Sequence, residues 1–230
     1  MHLKTIGVLG GLGPETTTHF YLAIISLCQQ KGIAERPPIL TWSIPLPYSL
    51  EKEFITTGKG IDQYLPFLIE GAKRLEQGGA DFIVIPCNSV HILIDEIRKS
   101  VRIPVLSIVE ETARLLKEEG IQQVGVLATT ATVKSHLYDT ALKAANITIA
   151  LPDSNDQVAL SDLIQQLARS GKDEQNQNVL PMLMEKFSTQ AVSTVILACT
   201  DLQLMIKDHP TIKIYDTMQI LVEATVRDLV

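Results

Sequence analysis

Apolar and polar positions along the chain fall into two alternating periods. Short runs rich in Val, Ile and Leu are followed by longer stretches in which apolar residues recur every three to four positions, the pattern of strand–helix units that build a parallel sheet. Residues 5–10 predict a buried strand, and Pro14 to about Lys31 a helix carrying Phe20, Leu22, Ile24, Ile25 and Leu27. Pro14 suits the first helical position, where a missing N–H costs nothing; Glu15 suits the positive end of the helix dipole, and Gly32 ends the helix. Residues 39–46 predict strand two. Pro45, Pro47 and Gly58 then predict an ordered loop from Pro47 to Lys59. A helix over 61–77 stops at Gly78-Gly79. A strand over 81–86 leads into a helix reaching Ser100, and a strand at 103–106 leads, with Ser107 as cap, into a helix reaching Glu119.

After Gly120 the series restarts. Strands are expected at 123–128, 147–151, 194–198 and 212–215. Helices are expected around Leu137, Tyr138 and Leu142, at 157–169, at 178–187 with Gly171-Lys172-Asp173 between the two, briefly after residue 199, and at 217–229. Ile6-Gly7-Val8-Leu9 resembles Val124-Gly125-Val126-Leu127, and Ile103-Pro104-Val105-Leu106-Ser107 resembles Ile212-Lys213-Ile214-Tyr215-Asp216. The chain therefore reads as two similar, pseudo-symmetric, doubly wound α/β domains with parallel sheets. In such sheets ligands sit beyond the carboxyl ends of the strands, which here points to the cleft between the domains.

One repeated feature carries chemistry. Ile83-Val84-Ile85 runs into Pro86-Cys87-Asn88-Ser89, and Val195-Ile196-Leu197 runs into Ala198-Cys199-Thr200-Asp201. Each half thus delivers a cysteine to the turn between a buried strand and a helix. There the dipole and free N–H groups favour a thiolate. Two such thiols facing one substrate allow one to remove a proton from carbon and the other to return one on the opposite face, inverting a stereocentre without a cofactor. Burial of small residues at strand ends is the plainer reading of one cysteine; the duplication favours the catalytic one. Cys28, on the apolar face of the first helix, is structural.

Around the pair, Asn88, Ser89 and Thr200 are placed either to cap their helices or to hold a substrate carboxylate. His91, one turn beyond Cys87, is a structural histidine or an aid to the site, and Asp201 is a first-turn acid or a tuner of Cys199. Gly10-Gly11-Leu12-Gly13 falls short of a dinucleotide fingerprint, because Thr16 stands where a third glycine is needed and no acid ends strand two. Gly11, Leu12 and Gly13 instead let the backbone approach a small anionic ligand, with Thr129, Thr130 and Thr132 at the equivalent place in the second half, where at least one of them is expected to cap a helix.

Composition narrows the class. Hydrophobic residues make up 46% and charged residues 20% of 230 residues, and the net charge is -6. No Lys/Arg run is present, which excludes a nucleic-acid surface. No apolar stretch approaches the ~18–20 residues of a membrane helix. The strand pattern beginning at the N-terminus leaves no signal peptide, and three cysteines without zinc spacing predict reduced thiols, a cytoplasmic location and no metal.

These motifs resemble the aspartate/glutamate racemase family of cofactor-independent amino-acid racemases, over nearly the whole chain. Gly10-Gly11-Leu12-Gly13-Pro14 is similar to the family's Gly-Gly-Met-Gly-Pro, Pro86-Cys87-Asn88-Ser89-Val90-His91 to its Pro-Cys-Asn-Thr-Ala-His, and Ala198-Cys199-Thr200-Asp201-Leu202 to its Gly-Cys-Thr-Glu-Leu. The resemblance implies a first domain of residues 1–106 plus 216–230, a second of 107–215, and a homodimer. It implies Cys87 and Cys199 as the acid/base pair, substrate contacts from Asn88, Ser89 and Thr200, no cofactor, and aspartate or glutamate as substrate. Serine at 89 keeps the hydroxyl, Val90 and Ala198 add bulk, and Asp201 shortens the acid. The loop after strand two lacks the arginine with which aspartate racemases grip a side-chain carboxylate; either Lys52, Lys59 or Lys172 substitutes, or the substrate is not aspartate. The alternatives are an isomerase or decarboxylase of a small dicarboxylate, or a non-catalytic amino-acid sensor.

Overall fold

A computed structural model describes residues 3–57, 59–170, 178–206 and 208–230. In the first half, β1 (Ile6–Gly10) and α1 (Pro14–Gln30) are followed by β2 (Ile39–Ser43) and α2 (Tyr48–Thr57). A 3-10 turn, Ile61–Tyr64, runs into α3 (Leu65–Gln77). Next come β3 (Phe82–Val84), a 3-10 turn over Ser89–Leu93, α4 (Ile94–Ser100) and α5 (Ile108–Glu118). The second half holds β4 (Gln123–Ala128), α6 (Thr130–Lys134), α7 (Asp139–Ala144), β5 (Thr148–Ala150), α8 (Ser154–Ser170) and α9 (Val179–Thr189). It closes with β6 (Thr194–Ala198), a 3-10 turn over Leu202–Leu204, β7 (Lys213–Asp216) and α10 (Thr217–Leu229).

The strands form two parallel sheets, ordered β2-β1-β3 and β5-β4-β6-β7. In each, the half's first strand lies between its second and its cysteine-bearing strand. Alternation along the strands sends side chains to opposite faces. Ile6, Val8, Phe82 and Val84 of one sheet, and Val124, Val126, Ile196 and Ala198 of the other, enter a single core with Phe20 and Ile24 of α1, Leu116 of α5 and Leu221 and Val222 of α10. The opposite faces bury Leu9, Ile83 and Ile85 under α3 (Leu68, Ala72, Leu75), and Leu127, Val195 and Leu197 under α8 and α9 (Leu160, Leu163, Leu183, Phe187). One core is thus shared by both halves, with an outer core belonging to each. Cys28 lies in the shared core.

Four expectations are revised. The helix expected directly after Cys87 begins as the 3-10 turn Ser89–Leu93, and the one expected after Cys199 reduces to the 3-10 turn Leu202–Leu204. The span from Pro47 to Lys59 contains α2 in place of a loop: the Pro47 carbonyl accepts the N–H groups of Leu50 and Glu51 at 3.0 and 3.2 Å. Phe54 is buried against Tyr64 with ring centroids 5.3 Å apart. A proline ahead of a helix has no N–H to lose, so the same punctuation serves a helix start. Strand 103–106 reduces to one bridge, Ile83 to Val105. Pro104 has no N–H for the ladder and contributes only its carbonyl, which accepts from Ile83 at 2.8 Å. The helical stretch around Leu137 and Leu142 divides into α6 and α7 at His136, whose φ is 55°. The Gly171-Lys172-Asp173 separator lies outside the described residues.

Candidate active site

Both cysteines stand at the carboxyl ends of equivalent strands. Beyond β3 the Cys87 N–H turns back to the Ile85 carbonyl at 2.8 Å, and the backbone N–H groups of Ser89 and Val90 bond the Cys87 sulfur. Beyond β6, Cys199 is buried and the chain folds over it, Leu202 N–H donating to the Cys199 carbonyl at 3.1 Å. The two thiols lie close enough that a charge on Cys87 raises the pKa of Cys199.

Electrostatics at the pair run opposite to the sequence expectation. Burial pushes the Cys87 thiol up to about 11, and the charges of Asp201 and Glu51 add to the push. The Val90 and Ser89 N–H groups pull down, as a helix start should, but more weakly. Cys199 is raised well above the ordinary thiol range, by burial first and then by Asp201. Loss of solvent outweighs the N-terminal N–H groups at both stations. The acids have their own tension. Burial also holds the Asp201 carboxyl above the usual range, against hydrogen bonds from Thr16 and Cys199. Glu51 of α2 is raised by burial, then by Asp201 and Glu15.

Three polar links join the halves around the thiols. Thr16, on the first turn of α1, donates to Asp201 Oδ1 at 3.0 Å, while Cys199 Sγ donates to Asp201 Oδ2 at 3.9 Å. The Ser89 hydroxyl bonds those of Thr129 and Thr132 at 3.2 and 3.0 Å, and Thr129 caps α6 through the Thr132 N–H. Asn88 is buried with its amide held at both ends: Nδ2 donates to Thr217 Oγ1 at 3.0 Å, and Oδ1 accepts from the Tyr138 hydroxyl.

His91 is buried and fixed in one tautomer. Its Nε2 accepts the Ile108 N–H at 3.2 Å, which leaves Nδ1–H to donate to the Cys87 carbonyl at 2.8 Å. Burial pushes this imidazole down to about 4, so it is neutral and acts as a clamp on the backbone of Cys87. Gly11 has φ +82°, and a Cβ there would meet Ser43 Oγ at 2.6 Å and the Ile44 nitrogen at 2.7 Å; its N–H bonds Thr17 Oγ1 at 3.0 Å. Gly13, at φ +95°, precedes α1, and Leu12 packs on the outer core of the first half. Thr200 is buried beside Cys199. Lys59 is exposed; Lys172 and the side chain of Lys52 lie outside the described residues.

The sequence reading therefore located the thiols, the hydroxyl group and Asp201, and the structure brings them together. It passed over Thr16, Glu51, Tyr138 and Thr217. Thr16 figured only as an interruption of a glycine motif, and Glu51 stood in an expected loop. Tyr138 and Thr217 meet Asn88 across 50 and 129 positions, where no local pattern signals a contact. Among the described residues, no group of His, Cys, Asp and Glu side chains is arranged to hold a metal ion, and no helix is long and apolar enough to cross a membrane.

Residues 9–225 match the family described as Asp/Glu/Hydantoin racemase. The chain is 31% identical over 227 residues to the broad specificity amino-acid racemase RacX of Bacillus subtilis (strain 168), covering 96% of both. It superposes on an aspartate racemase homologue from Pyrococcus horikoshii OT3 with a TM-score of 0.81 and 27% identity, covering 98% of both chains. Glutamate racemase from Francisella tularensis, solved with D-glutamate, shares the fold at a TM-score of 0.68 and 20% identity, over 97% of this chain and 80% of that one.

Proposed function

This chain belongs to the Asp/Glu/hydantoin racemase family, and from that premise we propose that it racemises an amino acid without a cofactor, by proton transfer between Cys87 and Cys199. The observation that carries this reading is the pair itself. Two thiols occupy equivalent ends of two like-ordered sheets, and one feels the charge of the other. A thiolate on one side takes the α-proton, the electron pair passes into the α-carboxylate as an enediolate, and the opposite thiol returns a proton to the other face. Hydrogen bonds to the developing enediolate supply the stabilisation this step needs. Ser89, Thr129, Thr132 and Thr200, with the backbone of Gly11, Leu12 and Gly13, are the groups we assign to holding the substrate. Asn88 and His91 fix the Cys87 turn.

On the substrate, the site's charges qualify the first expectation. Among the described residues, the acids Asp201 and Glu51 act on Cys87, and Glu15 acts on both acids. A second substrate carboxylate would be repelled there. We therefore propose an amino acid with a neutral or cationic side chain in place of aspartate or glutamate, a reading in keeping with the broad specificity of the relative RacX. We take residues 1–106 plus 216–230 and residues 107–215 as the two domains, and a homodimer as the assembly to be tested by sedimentation.

The test is α-proton exchange in deuterated buffer, followed by NMR over a panel of L- and D-amino acids. Deuterium entering one acid as its enantiomer accumulates identifies the reaction and the substrate. Cys87→Ser and Cys199→Ser should each nearly abolish it with the fold intact. Full rate in either variant overturns the two-thiol mechanism. Silence across the panel transfers the site to dicarboxylate chemistry or to sensing.

A further inference from the structure

Asp201 is held from two directions. Its Oδ1 accepts the Thr16 hydroxyl, which arrives from α1 of the other half at 3.0 Å, and its Oδ2 faces Cys199 Sγ at 3.9 Å. Thr16 is 2% exposed, so this is an interior contact in which the threonine packs as well as donates. The two carboxylate oxygens are thereby divided: one is occupied by a hydroxyl that cannot take a proton from it under working conditions, and the other is aimed at the thiol.

Resting on the racemase reading, we propose that Thr16 is a positioning residue of the reaction: by holding Oδ1 it presents Oδ2 of Asp201 to Cys199 as the acceptor of the thiol proton. The S–H bond of Cys199 breaks as the O–H bond on Asp201 Oδ2 forms. The resulting thiolate removes the α-proton and is a thiol again, Cys87 gives its proton to the opposite face, and the proton on Asp201 passes through water to the Cys87 thiolate, so no other reagent is needed. The contact joins the two halves, so the acceptor of Cys199 is in register only when α1 and the loop beyond β6 are correctly apposed. The other titratable groups that reach this carboxylate and thiol are Glu15 of α1, Glu51 of α2 and Cys87 beyond β3. Burial raises the Asp201 carboxyl and the Thr16 hydrogen bond opposes that rise, so losing the bond moves Asp201 ionisation to higher pH.

The experiment compares wild type, Thr16→Val and Thr16→Ser, measuring kcat and KM against pH with the amino acid identified by exchange. Valine keeps the shape and removes the donor; serine keeps the donor. Expected for Thr16→Val is a kcat lowered roughly 10- to 100-fold with KM within about twofold, as for a misplaced reacting group. The acid limb of the pH profile should move up by about one unit, and both effects should be largely restored in Thr16→Ser. If Thr16→Val does not fold by circular dichroism, Thr16→Ala gives the same comparison. A folded donor-less variant whose kcat and acid limb match wild type overturns the assignment of Thr16 alone. A wild-type protein without exchange on any amino acid overturns the racemase reading, and this role with it.

Discussion

Thr217→Val is the sharpest test of how the Cys87 turn is held. Thr217 is fully buried at the start of α10, and its hydroxyl is used twice: it donates to the Leu197 carbonyl at 2.8 Å and accepts Asn88 Nδ2 at 3.0 Å. Valine preserves the volume and the β-branching but deletes both bonds, leaving the Asn88 amide short of a partner in an interior closed to water. A buried polar group left unsatisfied costs about 1–3 kcal/mol. The two losses share one hydroxyl and are not independent, so the expected total is about 2–4 kcal/mol. For a chain of this size each kcal/mol lowers Tm by roughly 2–4 °C, and the variant should melt roughly 5–15 °C early. Thr217→Ser keeps both bonds and loses one methyl, which costs about 1 kcal/mol. Urea unfolding of the three proteins, compared at equal m-value, separates the terms. Because Asn88 adjoins Cys87, α-proton exchange should also fall in the valine variant, roughly tenfold for a displaced reacting group. A Thr217→Val protein within about 0.5 kcal/mol of wild type, the scatter of neutral surface changes, would show that this hydroxyl does not hold the turn.

Other outcomes follow from the same geometry. Carboxamidomethylation of Cys87, read by peptide mass, should rise about tenfold per pH unit from neutrality and show no plateau below about pH 10, because burial holds this thiol near 11; a plateau near pH 8.5 would contradict the burial argument. His91 is pushed down to about 4, so as pH falls below about 6.5 the unfolded chain takes up the proton first and the fold loses up to about 3 kcal/mol by pH 4. An imidazole NMR titration placing His91 near 6.5 would refute the neutral clamp. Gly11→Ala meets both a positive φ and two atoms closer than 3 Å; it should cost more than about 1 kcal/mol in thermal unfolding, and an unchanged Tm would mean the Gly11–Ser43 approach is not needed.

What the sequence made legible is local. The strand–Cys–helix unit occurs twice because each copy needs only an apolar run, a small polar residue and a helical period in succession. Parallel sheets could be anticipated because strands alternating with helices require crossover connections. Ser107 was readable as a cap, and one was expected among Thr129, Thr130 and Thr132, because a cap bonds an N–H only three positions away. What escaped is relational. Thr16 and Asp201 are separated by 185 positions and Asn88 and Thr217 by 129, and neither pair carries a pattern that a window along the chain can register. The thiols illustrate the point energetically. The N–H groups beyond each cysteine act in the expected direction, from 3-10 turns, yet the sign of the shift is set by burial in the folded protein. Pro47 misled for a different reason: the missing N–H that breaks a strand is equally suited to precede a helix, and only Phe54 packing on Tyr64 decides between them.

The raised thiols also bear on how the proposed reaction begins. Two-base inversion needs one thiolate and one thiol at the same moment; two thiolates have no proton to return, and two thiols have no base. Burial keeps both cysteines protonated at neutral pH, and a charge on Cys87 raises Cys199, so the pair passes through a singly ionised form. Asp201 offers Cys199 an internal acceptor at 3.9 Å, whereas Cys87 has the Ser89 and Val90 N–H groups to stabilise a thiolate once formed. The two sides are therefore alike in fold and unlike in how they lose a proton. An ammonium group on the substrate favours a thiolate beside it, so the working charge state arises on binding. In the proposed reaction the resting protein then keeps two protonated thiols, and the substrate's ammonium group, together with the Asp201 acceptor beside Cys199, makes one of them a base.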